Sequence, residues 1–348
     1  MGLRGAPIVA SKAVISCLVG CVLVAACAAH PQALLAKPGQ RDSHVLPKAG
    51  PSESRTAGIT IAAGTAGTFQ VGEQELTLAE PAHEGSAGQY LTQRMLVIDI
   101  RYPRAQQSGA VRPASGPFPL IMFAPGFMQC DSPYSDLLDA WASAGYVVAA
   151  VNFPRTDCRV GTAAYEPDLV NQPGDMSYAL SELLKLTAHP GSLLSGLLNS
   201  RQVGAAGQSD GGDTVAALAA NACCADHRLA AAAVLSGAEW PPMPGPYFAD
   251  GAPPMLFVQG SADTINPPWT SVQLYSADKE RARYYLDLFG ATHTVPYWGT
   301  NQVEQIVARV TLAFFDRYLL GAASALQTMT RAGNVSGAAL VTAGQPPP

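Results

Sequence analysis

Three side chains able to form a proton relay are spread over the second half of the sequence. Ser209 stands in Gly207-Gln208-Ser209-Asp210-Gly211-Gly212, directly after the apolar run Gln202 to Ala206 and directly before a helical run. This Gly-x-Ser-x-Gly pattern fits a nucleophile elbow, a tight strand-to-helix turn that lifts a serine hydroxyl above a sheet. Small residues at 207 and 211 suit such a turn because backbone and neighbours come close. The motif is short, so its place between strand and helix carries more weight than the pattern. The plain alternative is a Gly-rich helix start.

A serine hydroxyl needs a base, and the base needs an orienting acid. When the nucleophile sits on such an elbow, the chain order is Ser, then Asp or Glu, then His. Of the six histidines only His227 and His293 follow Ser209, and His227 comes before any later strand could supply the acid. His293, in Gly290-Ala291-Thr292-His293 just past the strand Arg283 to Leu288, is the candidate base. Asp263 ends Gly260-Ser261-Ala262-Asp263 at the carboxyl end of the strand Met255 to Gln259 and is the candidate acid. Its competitors are worse placed: Asp250 precedes its strand, Asp278 and Glu280 are expected on a helix, and Asp287 lies inside a strand. A developing oxyanion needs backbone donors. The amide of Asp210 would be one and that of Phe127, in Pro125-Gly126-Phe127-Met128, the other.

These residues must be held by a scaffold, and its pattern is legible. Strands are expected at Ile59 to Ala62, Gly67 to Val71, Glu75 to Ala79 and Arg94 to Tyr102. Continuous apolar runs then recur at Pro119 to Ala124, Tyr146 to Phe153, Gln202 to Ala206, Ala231 to Leu235, Met255 to Gln259 and Arg283 to Leu288. Helical stretches separate them at Ser135 to Ser143, from Pro173 through Met176 to Leu186, at Gly211 to Asn221 and at Gln302 to Leu319. Apolar strands alternating with helices imply an α/β fold with a mostly parallel central sheet and helices on both faces. About twenty residues separate the Ala231 and Met255 strands, too few for a large lid domain. Residues 57–321 are expected to form the catalytic domain; 322–348, rich in Ala, Gly and Thr and ending in prolines, are expected to be a mobile tail.

Composition narrows the partners. Lys and Arg number 21 against 26 Asp and Glu, a net charge of −5, with 48% hydrophobic residues. No basic run, Walker loop, Gly-x-Gly-x-x-Gly turn or His-Glu-x-x-His pair occurs. Such a balance argues against nucleic acid as a partner. Arg4 and Lys12 precede seventeen uncharged residues, Ala13 to Ala29, which read as a secretory signal peptide and are short for a permanent span. Leu23-Val24-Ala25-Ala26-Cys27 resembles a bacterial lipobox, so residues 1–27 are expected to be removed and Cys27 lipidated. Cleavage within Ala26 to His30 and release is the alternative. Residues 28–56 would then tether the domain, and any membrane contact would run through the lipid anchor alone. Four cysteines remain after export: Cys130, Cys158, Cys223 and Cys224. Cys130–Cys158 is the favoured disulfide, because each follows one of two successive predicted strands.

The motifs at 125–127, 207–212, 260–263 and 290–293 resemble, in order and spacing, those of α/β-hydrolases. The nearest likeness is to the dienelactone hydrolase, cutinase and polyester-hydrolase branch, with platelet-activating-factor acetylhydrolase-like enzymes, over about Pro119 to Tyr318. Pro173-Gly174-Asp175 resembles the branch's Arg-Pro-x-Asp helix start without its Arg, and Glu239-Trp240-Pro241 the tryptophan that flanks substrate in polyester hydrolases. The resemblance implies an exported serine esterase needing no cofactor, acting on a small-molecule or lipid-like ester, with Phe127, Met128 and Trp240 lining the pocket. Two other readings stay open: a catalytically silent binding lipoprotein on the same fold, or acyl transfer or thioester cleavage at the same site. One departure is chemical. The residue after the nucleophile is usually apolar in the polyester branch, whereas Asp210 would set a carboxylate beside a forming oxyanion, which favours a smaller or polar ester.

Overall fold

The computed structural model describes residues 67, 69–105, 113–343 and 345. The signal peptide, Cys27, the tether and the strand expected at Ile59 to Ala62 lie outside the described residues. All described elements belong to the compact unit that runs from Ala57 onward.

Eleven strands are present among the described residues. They are β1 (Gln70–Glu80), β2 (His83–Glu84), β3 (Tyr90–Leu91), β4 (Arg94–Arg104), β5 (Phe118–Ala124) and β6 (Val147–Asn152). Then follow β7 (Leu198–Gln208), β8 (Leu229–Leu235), β9 (Met255–Gly260), β10 (Arg283–Leu288) and β11 (Ala338–Thr342). Nine of them form one sheet in the order β1-β4-β6-β5-β7-β8-β9-β10-β11. From β6 through β10 every neighbouring pair is parallel; β1, β4 and β11 are added antiparallel at the two sides. The mostly parallel α/β expectation therefore holds. The strands expected at Gly67 to Val71 and Glu75 to Ala79 are one strand, β1, which runs through Gly72.

Strand side chains alternate between two layers of helix. Ile121 and Phe123 of β5 face a cluster with Leu137 and Trp141 of α1 (Ser135–Ser143) and Phe314 and Phe315 of α5 (Gln302–Tyr318). Leu120 and Met122 face the opposite way, toward Met176 and Leu180 of α2 (Gln172–Ala188), Val215 of α3 (Asp210–Ala220) and Leu274 of α4 (Pro268–Ala277). Because both faces are covered, β5 and β8 are apolar throughout and β6 is apolar up to Asn152, which is why they read as continuous runs. Burying each such side chain contributes about 1.5–3 kcal/mol. The edge strand β1 instead carries Glu73, Gln74 and Glu75 on exposed positions, charges that discourage edge-to-edge pairing.

Residues 322–343 of the segment expected as a mobile tail are ordered. Ala325–Gly333 forms α6, and β11 pairs antiparallel with β10 from Leu288↔Ala338 to Tyr284↔Thr342. The small residues hid the pattern: Ala325, Met329 and Gly333 are buried, and a Cβ at Gly333 would come within 2.8 Å of the Leu340 Cβ. β11 covers what would otherwise be an open apolar edge, so the domain extends to about residue 343. Asp278 and Glu280 also differ from expectation, since α4 ends at Ala277 and both follow it.

Candidate active site

Parallel strands end at one side of the sheet, and their loops converge there. Gly207 of β7 is level with Ala124 of β5 and Val234 of β8, and Gly260 of β9 is level with Leu288 of β10. Ser209 occupies the turn between β7 and α3 with φ 57° and ψ −126°. A non-glycine residue in that region stores about 1–3 kcal/mol, held in place by its surroundings. The surroundings are two glycines. A Cβ at Gly207 would lie 2.1 Å from the Gly211 oxygen, and one at Gly211 would lie 1.9 Å from the Ala124 oxygen.

His293 Nε2 is 2.9 Å from Ser209 Oγ, and His293 Nδ1 is 2.7 Å from Asp263 Oδ2. The carboxylate can only accept, so Nδ1 carries the proton and Nε2 presents a lone pair to the serine hydroxyl. Asp263 is held on both oxygens. The amides of Ile265 and Asn266 donate to Oδ1 at 2.9 and 3.0 Å, and Gln259 Nε2 donates to Oδ2 at 3.1 Å. Burial pushes this carboxyl up, but the His293 hydrogen bond and charge, with the two amides, outweigh it and leave Asp263 below the ordinary carboxylate range. Such an arrangement can draw a proton from the serine and stabilise the imidazolium that results.

In the loop after β5 the amides on either side of Phe127 are already spent. Gly126 N–H donates to Tyr134 Oη at 3.1 Å, Met128 N–H to the Thr156 carbonyl at 2.7 Å and Gln129 N–H to the Gly126 carbonyl at 3.0 Å. Among the described residues the Phe127 amide has no such acceptor. Met128, at φ 57° and exposed, bends the loop at this point. The Asp210 amide opens α3, where no intrahelical acceptor exists. Cys130 is joined to Cys158, which ties this loop to the one after β6; Cys223 and Cys224 are joined to each other.

Gln208 is a functional residue that the sequence motifs did not single out. Tyr134 Oη donates to Gln208 Oε1 at 2.8 Å, and Gln208 Nε2 donates to the His293 carbonyl at 3.2 Å. One amide side chain thus links the loop of Phe127 to the loop of the base. Tyr134, pushed up to about 12 by burial, stays a hydroxyl and a donor. Nothing in the local sequence pairs residues 134 and 208.

Trp240 has other neighbours. It packs with Leu169, Ala217 and Met243, takes Tyr247 Oη against its backbone amide at 3.2 Å, and lines a cavity of about 500 Å³ with Tyr247 and Trp269. Asp210 is buried, at 8% exposure, with Oδ2 lacking any partner among the described residues. Burial above all, then repulsion by Glu166, pushes its carboxyl up to about 7, while His293 and its own amide pull the other way.

A family model described as PET hydrolase-like matches residues 100–330, more than half of the chain. The chain belongs to the PET hydrolase-like family. This is an α/β-hydrolase-type polyester hydrolase family, and the nine-stranded sheet conforms to that fold. Membership carries the general chemistry, hydrolysis of esters. No curated protein matches the chain. Within the family match fall Phe127, Met128, Ser209, Asp210, Trp240, Asp263 and His293. The Arg missing from the start of α2 is supplied from β4 instead: Arg94 donates to Asp175 at 2.6 Å and to Asp168 at 2.7 Å, all three buried.

Proposed function

We propose that this PET hydrolase-like protein is an exported serine esterase that cleaves carboxylic esters through an acyl-enzyme. His293 takes the Ser209 proton as Oγ attacks the carbonyl carbon, and Asp263 stabilises the imidazolium. The carbonyl π electrons move to oxygen, where the amides of Phe127 and Asp210 receive the charge. Collapse breaks the carbon–oxygen bond to the alcohol, which leaves with the proton held on Nε2. Water then repeats the sequence on the acyl-serine and releases the acid.

The observation that carries this reading is the unbroken hydrogen-bonded line from Ser209 Oγ through His293 to Asp263. A fluorophosphonate probe is expected to label the peptide containing Ser209, with no labelling in Ser209→Ala. Labelling that survives that substitution would remove the assignment. Asp210 gives some support to a silent binding fold, and absence of turnover on short p-nitrophenyl esters would favour that second reading.

Export and anchoring are part of the proposal. The leader 1–27 would direct secretion and Cys27 would carry the lipid. Mass analysis of the mature N-terminus checks this, and an unmodified N-terminus beyond Cys27 argues for release instead.

A further inference from the structure

Resting on the esterase reading, we infer that the residue after the nucleophile makes this site selective for esters bearing a cationic group close to the scissile carbonyl. The side chain of Asp210 sits on the first residue of α3, directly beside Ser209, and is more than nine-tenths buried with one oxygen unpartnered. A buried carboxylate without a partner is costly, and a bound cation relieves that cost.

The charges around it point the same way. Glu166, on the exposed segment facing α3, and Asp213, one turn further along α3, both lie close enough to act electrostatically with Asp210. Asp213 is fully buried, and its Oδ1 accepts the Ala238 amide at 2.5 Å. Burial holds its carboxyl well above the ordinary carboxylate range, and Asp210 and Glu166 push it the same way. Among the described residues no Lys or Arg forms an ion pair with Asp210 or Glu166. Arg155, on the neighbouring loop, packs over the Tyr165 ring at 4.7 Å instead. Among the described residues, the group that acts on Asp210 as a cation is His293. A substrate cation would supply the missing countercharge, and an apolar isostere would leave the carboxylate stranded.

Matched esters test this. On the alcohol side, acetylcholine is compared with 3,3-dimethylbutyl acetate; on the acyl side, ethyl 4-(trimethylammonio)butanoate is compared with ethyl 5,5-dimethylhexanoate. Wild type is expected to favour the cationic member of at least one pair about tenfold or more in kcat/KM at low salt, and less at high salt. Asp210→Asn should bring that ratio to near one. Glu166→Gln, an exposed change that leaves the core untouched, should lower it about twofold. Hydrolysis of the neutral esters with no cationic preference in either pair overturns the inference while the esterase reading stands. So does a preference that survives both substitutions. Hydrolysis of none of the four esters would fell the esterase reading, and the inference with it.

Discussion

Asp210→Asn should change the pH dependence of folding stability in a predictable direction. The Asp210 carboxyl moves from 3.8 to about 7 on folding, chiefly through burial. The folded state therefore holds this proton more tightly than the unfolded chain. Its favourable contribution is present below about pH 4 and is lost as pH rises to about 7. Each pKa unit corresponds to about 1.4 kcal/mol, so the full effect is roughly 4 kcal/mol, of which about 3 develops between pH 5 and pH 8. Asparagine does not titrate. Its stability advantage over wild type should thus widen by roughly 3 kcal/mol across that interval. Other raised carboxyls, such as Glu304 at about 7 and Asp278 at about 6, titrate in both proteins and cancel in the difference. Urea unfolding of both proteins at pH 5 and 8, with disulfides intact, measures it. A gap that stays constant with pH would refute the idea that this buried carboxyl is destabilised by its surroundings.

Other substitutions probe the framework. Gln208→Leu removes the link between Tyr134 and the His293 loop and should lower kcat about tenfold or more with KM little changed, read on a short p-nitrophenyl ester. Gly211→Ala sets a Cβ 1.9 Å from the Ala124 oxygen, so the elbow backbone must move; soluble yield and Ser209 labelling should both fall sharply. Phe315→Ala empties a fully buried position against Trp141 and should cost about 3–5 kcal/mol in urea unfolding, with the slope of the transition unchanged.

The sequence made the reacting residues legible because each lies where a strand ends, and the strands announce themselves as apolar runs between helices. Ser209, Asp263 and His293 could be ordered by chain position alone, since the elbow dictates where acid and base must follow. What stayed hidden depends on contacts between distant residues. Arg94 meets Asp175 across 81 positions, so Pro173-Gly174-Asp175 looked incomplete although its cation was present on β4. Gln208 and Tyr134, 74 positions apart, carry no shared pattern. The order of residues 322–343 stayed hidden for a different reason. Its buried positions are mostly Ala and Gly, with Met329 and Leu340, which give little hydrophobic contrast, and β11 becomes a strand only because β10 offers it an edge.

The account turns on Ser209 acting as the nucleophile that carries the acyl group. An acid quench during turnover of p-nitrophenyl acetate, followed by peptide mass analysis, tests it most directly. The prediction is one acetyl group per chain, on the peptide bearing Ser209, formed with a matching burst of p-nitrophenol and absent in Ser209→Ala. An acetyl group found on another residue, or a Ser209→Ala protein that turns over like wild type, would contradict it.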